Sequence, residues 1–595
     1  PLPVGITVHH RKELDAIQRR LREMPGVTVL IHDQTCAAEK RRRRKKKQLA
    51  QPDRRLFINT AVCEGCGDCS VQSNCLSIVP VDTPDGRKRA IEQSSCNSDF
   101  SCAEGFCPSF VSVIGAQIRR SGQRASQSDP AQLEAFLEAL PHPTLSTHKD
   151  NNILVVGIGG TGVVTIGALI SMAANLENRA AAVLDITGLA QKGGAVISHV
   201  RVGRSKQLDG PVRIDVAAAD TAILCDAVAG MKPDAWHALA PMKTLAIVNR
   251  HIAPPSEFTR DPDATHDPAA VLDLYERAVG KEHVLSLDAH DLALRHLGDT
   301  MFANMILLGH AWQTGAIPIT LDALLKAIEL NGVAVDANVR AFRIGRLSAW
   351  RPEVLEARRA STQDMHIVSE ESIEELMERH GRALTAYQDA RYAQRYTSLI
   401  KRLLETEHRV MPRRAPELTL AAARSLYRFM AIKDEYEVAR LYTDGEFRKK
   451  LKEQFEGDFT LRFHLAPPLL ARKNPHTGHP EKMTFGPLME TWMKLLGRAR
   501  VFRGKWFDVF SLQAERKEER RLLIEFESLL NQIADTLDEA TYERALKLVK
   551  LPDIVRGFGH VKAANIARYE LELRRLGVPF TTRPVQITRL VRAHS

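Results

Sequence analysis

Apolar and polar positions divide the chain into stretches of different period. From Asn152 the run ILVVGIGGTGVVTIGALI predicts a strand, a glycine loop and a helix, and apolar runs AAAVLDI, TAILCDA, KTLAIVN and HVLSLDA recur between helical segments. Strands alternating with helices predict a parallel sheet covered by helices. Amphipathic helices around MFANMILLGHAW and LDALLKAIELN close this unit near Arg346. Beyond about residue 360, apolar residues return at helical spacing in SIEELMERHGRALTAY, ESLLNQIADTL and AANIARYELELRRL, which predicts a mostly helical region without internal repeats.

The first 40 residues read as GITVHH, a helix over RKELDAIQRRLREM, and a strand in PGVTVLIHDQT bounded by Pro25 and Gly26. This predicts the last α/β unit of a domain whose body lies elsewhere. A basic run and QLAQPD form a linker, a cysteine-rich module occupies about 56–118, and the polar stretch RRSGQRASQSDPAQ separates it from the glycine-loop unit.

Composition adds little to this picture and excludes several classes. With 595 residues, 44% hydrophobic and 26% charged, the chain has the makeup of a globular protein with two to four cores. The longest apolar runs are broken by glycines, so no membrane span is expected, and the N-terminal residues carry no export leader, so the cytoplasm is the expected location. Net charge is +11, of which seven positive charges lie between Arg41 and Lys47. A block of that kind reads as an exposed hinge or as an attractor for an acidic electron carrier; no aromatic residues interleave with it, so nucleic acid is not an expected partner.

Cysteine usage changes the picture most. Seven of the nine cysteines fall between Cys63 and Cys107, which in a chain read as intracellular indicates metal ligation rather than disulfides. In CEGCGDC, Cys63, Cys66 and Cys69 are spaced so that one tight loop can aim three sulfurs at a cubane, with Gly65 and Gly67 allowing close backbone approach. Cys107 precedes Pro108, as the last ligand of a bacterial ferredoxin motif does, so the first [4Fe–4S] cluster is expected on Cys63, Cys66, Cys69 and Cys107. Cys75, Cys96 and Cys102 leave a second site one sulfur short: a three-iron cluster, a site with a non-cysteine ligand, or no second cluster. Zinc is the alternative for the first three cysteines. Cys225 reads as a buried small hydrophobe, and Cys36 as the eighth ligand, a cofactor-facing thiol or an inert one.

Gly157, Gly159 and Gly162 follow a strand and open a helix, and Asp185 ends the next apolar run, which is dinucleotide-fingerprint spacing. NAD, a CoA diphosphate or a thiamine diphosphate from a partner domain would each suit free amides at a helix N-terminus; glycines used only for packing are the alternative. A second loop carries Lys192, Gly193 and Gly194, a cation on flexible backbone near the same sheet edge or an ordinary glycine turn. His464, His476 and His479 have no fourth ligand and read as loop histidines. Arg556, His560 and Lys562 read as an anion site or as surface charge at a helix start.

Taken together, CEGCGDCSVQSNC with SCNSDFSCAEGFCPSF, GIGGTGVVTIGALI with GLAQKGGAVISHVRVG, ELNGVAVDANVRAFRIGR and KDEYEVARLYTDGEF resemble the C-terminal half of the large fused indolepyruvate ferredoxin oxidoreductases. DQTCAAEKRRRR resembles the end of their thiamine-diphosphate domain. The resemblance implies an α/β multidomain chain: the end of a thiamine-diphosphate-binding domain plus linker over 1–50, a ferredoxin-like iron–sulfur module over 51–118, a linker over 119–150, a Rossmann-like gamma domain over 151–350, and a helical domain of unassigned role over 360–595. It implies oxidative decarboxylation of an arylpyruvate with CoA to an aryl-acetyl-CoA, carbon dioxide and reduced ferredoxin. Under it, Cys63, Cys66, Cys69 and Cys107 relay electrons, while Gly157, Gly159, Gly160, Gly162 and Lys192 line the face where CoA or the thiamine domain docks. No GDG motif followed by Asn occurs, so thiamine diphosphate and magnesium are expected on an upstream region or another chain. The expected partners are ferredoxin, that thiamine-binding half and further copies of the chain. No residue is singled out as catalytic. Two other readings stay open, a ferredoxin:NAD oxidoreductase and a non-catalytic iron–sulfur scaffold.

Overall fold

The apolar run after Asn151 becomes a strand, Asn151–Ile158, inside a six-stranded sheet. The computed structural model describes residues 5–119, 130–145, 149–188, 194–254, 256–356, 371–467, 471, 480–505 and 508–578. In sheet order the strands are Val284–Leu287, Leu245–Asn249, Thr221–Leu224, Asn151–Ile158, Ala195–Val202 and Ala181–Thr187. The first four run parallel, but Ala195–Val202 runs antiparallel to both of its neighbours. The expected parallel sheet is therefore corrected to a mixed one. Only residues 188–194 separate the last two strands, too few for a crossover helix, so the chain must return antiparallel.

Ile153, Leu154, Val155 and Val156 are all 0% exposed, because both faces of the sheet are covered. Helix Val163–Leu176 and the helices Ala303–Gln313, Leu321–Asn331 and Val335–Trp350 pack on one face. Val271 and Tyr275 of helix Pro268–Val279 pack against Leu224, Ala246 and Val248 on the other.

In the cysteine-rich stretch, strand Arg54–Ile58 pairs antiparallel with Phe110–Ile114, and Ile78–Thr83 with Gly86–Ile91 forms a hairpin between them. The sheet does not end there. Thr460–Leu465 pairs with the free side of Phe110–Ile114 and is itself paired with Met483–Phe485, so one four-stranded sheet is built from residues more than 340 positions apart. Phe57, Val111 and Val113 share a core with Val438, Tyr442, Phe447 and Phe463.

The remaining C-terminal residues are helical, as the periodicity predicts, with helices such as Ile373–Tyr387, Ala390–Val410, Glu417–Met430, Ala514–Thr536, Tyr542–Lys550 and Gly559–Arg575 around one apolar core. A capping box of Ser372 and Glu375 starts the first of them. Fully buried Glu407 accepts the backbone N–H groups of Leu418 and Thr419 and the hydroxyl of Tyr542, which fixes the third helix against the fifth.

Pro1–Pro52 with Asn97–Asp99 form a separate compact unit. Its helix Leu14–Glu23 matches the sequence pattern, but the strand expected in GVTVLIHDQT pairs with no other strand among the described residues, and Val27 and Ile31 are 97% and 80% exposed. A strand requires a hydrogen-bonded neighbour, which periodicity alone cannot supply. The basic run is also corrected: Ala37–Lys45 is a helix, with Glu39 pairing Arg42 and Arg43 one turn on. No described helix is long and apolar enough to cross a membrane.

Candidate functional site

The cysteine loop is shaped by its backbone. Asn59 accepts the N–H groups of Val62 and Cys63 at its carbonyl, and Gly65 and Gly67 take φ of 70° and 80°, a left-handed region costly for other residues. A Cβ on Gly65 would stand 2.3 Å from the carbonyl oxygen of Arg87. The N–H of Gly65 donates to the Cys63 sulfur at 3.3 Å, and the sulfur of Cys107 lies 2.7 Å from Ser109 Oγ.

The folded loop brings Cys63, Cys66, Cys69 and Cys107 into mutual electrostatic reach. Burial, and then the neighbouring thiols, push Cys66 well above its ordinary value, Cys69 up to about 12 and Cys107 up to about 11. Such thiols keep their protons until a metal centre displaces them. Cys102 is buried and Cys75 and Cys96 half-buried, and all three pack with Cys63 and Cys69 around Leu56, Ile58, Ile78, Ile91 and Phe110. Cys36 is exposed, in the other unit. Cys225 is buried beside its strand, as its apolar context predicts, with its thiol pushed up to about 12 by burial. Among the described residues, no three His, Cys, Asp or Glu side chains gather closely enough to hold a single metal ion.

Cations surround this loop, and sequence reasoning missed them. Lys433 Nζ lies 2.9 Å from Glu64 Oε1 and donates to the Cys63 carbonyl at 3.1 Å. Lys482 donates to the Ala103 carbonyl at 3.0 Å, and Arg89 to the Pro262 carbonyl at 2.6 Å. Lys562, read from sequence as part of an anion site or as surface charge, is buried and pairs with Glu519 at 2.7 Å. Burial works to raise the Glu64 carboxyl, but Lys433, Lys562 and Lys88 together hold it well below the usual carboxylate range. Lys88 itself is lowered to about 8, by burial and then by Lys433. Apart from Lys562, these are isolated basic residues on unrelated elements that leave no local pattern, so nothing in the sequence singles them out.

The glycine loop sits at the carboxyl end of Asn151–Ile158, where the sheet's connections diverge to either side, the usual ligand position in open α/β sheets. Gly162, with φ of 95°, is the N-cap of helix Val163–Leu176, and Gly160 has φ of 86°. A Cβ on Gly157 would stand 2.7 Å from Val163 Cγ2 and 2.9 Å from Cys225 Cβ, so this glycine serves packing. Gly159 donates its N–H to the Gly194 carbonyl at 2.7 Å, which joins the two predicted loops; Lys192 and Gly193 lie outside the described residues. Asp185 is a correction. It lies on the edge strand, separated from the glycine strand by Ala195–Val202, so it does not take the adjacent-strand position of a ribose-binding acid. His464 is also not a loop residue: it stands on strand Thr460–Leu465, 2.7 Å from Ser112 Oγ, while His476 and His479 lie outside the described residues.

Along the same carboxyl edge, the rings of His251 and His290 stack at 3.7 Å, and Asp226 caps the turn at Ala229. Glu92, just after the cysteine-module hairpin, accepts the hydroxyl of Thr300 at 3.0 Å, so the cysteine module meets the sheet domain here.

Residues 152–348 match the family model described as pyruvate ferredoxin/flavodoxin oxidoreductase, and residues 373–575 match a family of unknown function, DUF6537. The mixed sheet with its glycine loop is thus the part of the chain that matches the 2-oxoacid:ferredoxin oxidoreductase model. An indolepyruvate oxidoreductase subunit IorB of Methanothermobacter thermautotrophicus is 29% identical over 199 residues, covering 33% of this chain and 95% of the relative. The IorB subunit of Pyrococcus horikoshii is 27% identical over 202 residues, covering 33% and 95%. The pyruvate oxidoreductase subunit PORC of Thermotoga maritima, a solved structure, is 20% identical, covers 33% of this chain and 96% of its own, and has a TM-score of 0.24. The chain carries a region similar to indolepyruvate oxidoreductase subunits of the 2-oxoacid:ferredoxin oxidoreductase type.

Proposed function

We propose that this chain is the electron-transfer part of a thiamine-dependent 2-oxoacid:ferredoxin oxidoreductase acting on indolepyruvate or a related arylpyruvate. The observation that carries this reading is the convergence of Cys107 with Cys63, Cys66 and Cys69 of one glycine-turned loop, in a chain whose next domain matches that family's model. The donor set fits a cubane. Four thiols within electrostatic reach of one another are the ligand number a cubane takes, one to each iron.

A [4Fe–4S] cluster held by these four cysteines supplies one-electron transfer towards a soluble ferredoxin. The loop binds it through sulfur, the Gly65 amide and Ser109 hydroxyl solvate two of those sulfurs, and the apolar residues around them exclude water. Cys75, Cys96 and Cys102 are the ligand set available to a second cluster. In the overall reaction the 2-oxoacid loses its carboxylate as carbon dioxide and its acyl group forms a thioester with CoA. One proton and two electrons are released, the electrons to two ferredoxins. Thiamine diphosphate and magnesium belong to an upstream region or another chain, and Gly159, Gly160, Gly162 and Gly194 with Lys192 and Gly193 offer a face for a diphosphate of CoA or of that cofactor. An NAD site is disfavoured by the position of Asp185.

Protein purified without oxygen tests the reading. It should contain iron and acid-labile sulfide, absorb broadly in the visible and bleach with dithionite. Colourless protein with zinc on the cysteines would overturn it.

A further inference from the structure

The C-terminal region, which matches a family of unknown function, contributes three lysines to the surroundings of the cysteine loop. Lys433 precedes helix Glu435–Thr443, Lys482 precedes strand Met483–Phe485 and Lys562 lies in helix Gly559–Arg575. They come from well-separated stretches of sequence, yet each reaches the loop or its acidic neighbours: Lys433 at Cys63 and Glu64, Lys482 near Cys107, Cys69 and Cys102, and Lys562 near Glu64. Lys88 and Arg89 approach from the hairpin, with Arg89 near Cys69, Cys63 and Cys66.

Burying so many cations is costly unless negative charge accompanies them. Glu64 answers Lys433 and Glu519 answers Lys562 in direct ion pairs, whereas Lys482 and Arg89 donate to backbone carbonyl oxygens, which carry only partial charge, and feel Asp68 and Asp263 only through space. Among the described residues Lys88, Lys482 and Arg89 form no ion pair with a carboxylate, while thiols of the loop lie within electrostatic reach of all three. An oxidised cubane with four thiolates is a dianion, and its reduced form is more negative still.

We infer that the C-terminal region is part of the redox machinery: with Lys88 and Arg89, its Lys433, Lys482 and Lys562 form a cationic wall that compensates the charge of a thiolate-held cluster and raises its reduction potential. This inference rests on the cluster proposed above. The shared sheet and core make the arrangement rigid, since Thr460–Leu465 is hydrogen-bonded to the strand that follows Cys107.

Potentiometric titration followed by electron paramagnetic resonance, on the full chain, tests the wall. Lys433→Gln should lower the midpoint by a tenfold fall in the equilibrium constant for reduction or more, about 59 mV for one electron. Glu64→Gln should raise it, and the double variant should return towards the parent. Disturbed packing would not give opposite signs at two partners 2.9 Å apart. Unchanged midpoints, or shifts of one sign in both variants, overturn the inference while leaving the cluster assignment intact. Parent protein without iron and sulfide sinks both together. Should Lys433→Gln fail to fold, Lys482→Gln is expected to lower the midpoint in the same sense, and its failure to do so is equally decisive.

Discussion

The hydroxyl of Tyr442 donates a 2.7 Å hydrogen bond to the carbonyl oxygen of Pro108, the residue after Cys107. Tyr442 is 1% exposed and meets Phe447 and Phe463 edge-on, so its ring is held by two C-terminal rings while its oxygen anchors the cysteine module. Tyr442→Phe removes one buried hydrogen bond at constant shape. It should cost about 1–2 kcal/mol in chemical denaturation of the metal-free protein and hasten loss of visible absorbance in air.

The glycines differ in what they tolerate. Gly65→Ala places a methyl group 2.3 Å from a carbonyl oxygen at φ of 70°, and should abolish iron loading. Gly162→Ala has φ of 95° but its Cβ meets only Thr165 Oγ1 at 4.0 Å, so it should fold at a cost of about 1–2 kcal/mol. Iron content and thermal melts of the two variants check the contrast.

The four converging thiols should behave as one unit. Cys66→Ala and Cys107→Ala are each expected to remove the same share of iron and labile sulfide, although the two residues are 41 positions apart in the sequence. Cys75→Ala should leave that share in place. Unequal losses from the first pair, measured by metal and sulfide analysis, would break the grouping.

Acid should destabilise the fold through buried neutral histidines. His310 and His464 are each 7% exposed, and burial lowers both to about 4, with Arg54 and Lys482 adding to the effect at His464. The unfolded rings titrate near about 6.5. Between those values the unfolded chain binds more protons than the folded one, so the stability is complete above about 6.5 and is lost as pH falls towards 4. The loss should reach about 1–3 kcal/mol per ring, read by denaturant titration at stepped pH. His310→Gln should flatten its part of the slope.

The cysteine spacing, the glycine strand and the helical C-terminal pattern were legible because each depends on neighbours within a few residues. The ILVV run is buried on both faces whatever its partners are, and CEGCGDC turns on its own glycines. Strand Thr460–Leu465 was not legible: TLRFHL is short, and only hydrogen bonds to Phe110–Ile114 and Met483–Phe485 make it a strand. The direction of Ala195–Val202 escaped for a similar reason, since alternating apolar residues do not say which way a strand runs.

Sequence by itself thus determined which thiols and which glycines are available, and the local turns that present them. Tertiary structure alone decided their electrostatic setting. Lys433 reaches the Cys63 carbonyl across 370 positions of chain, and charge acts through the space between folded elements, at distances that residue order does not encode.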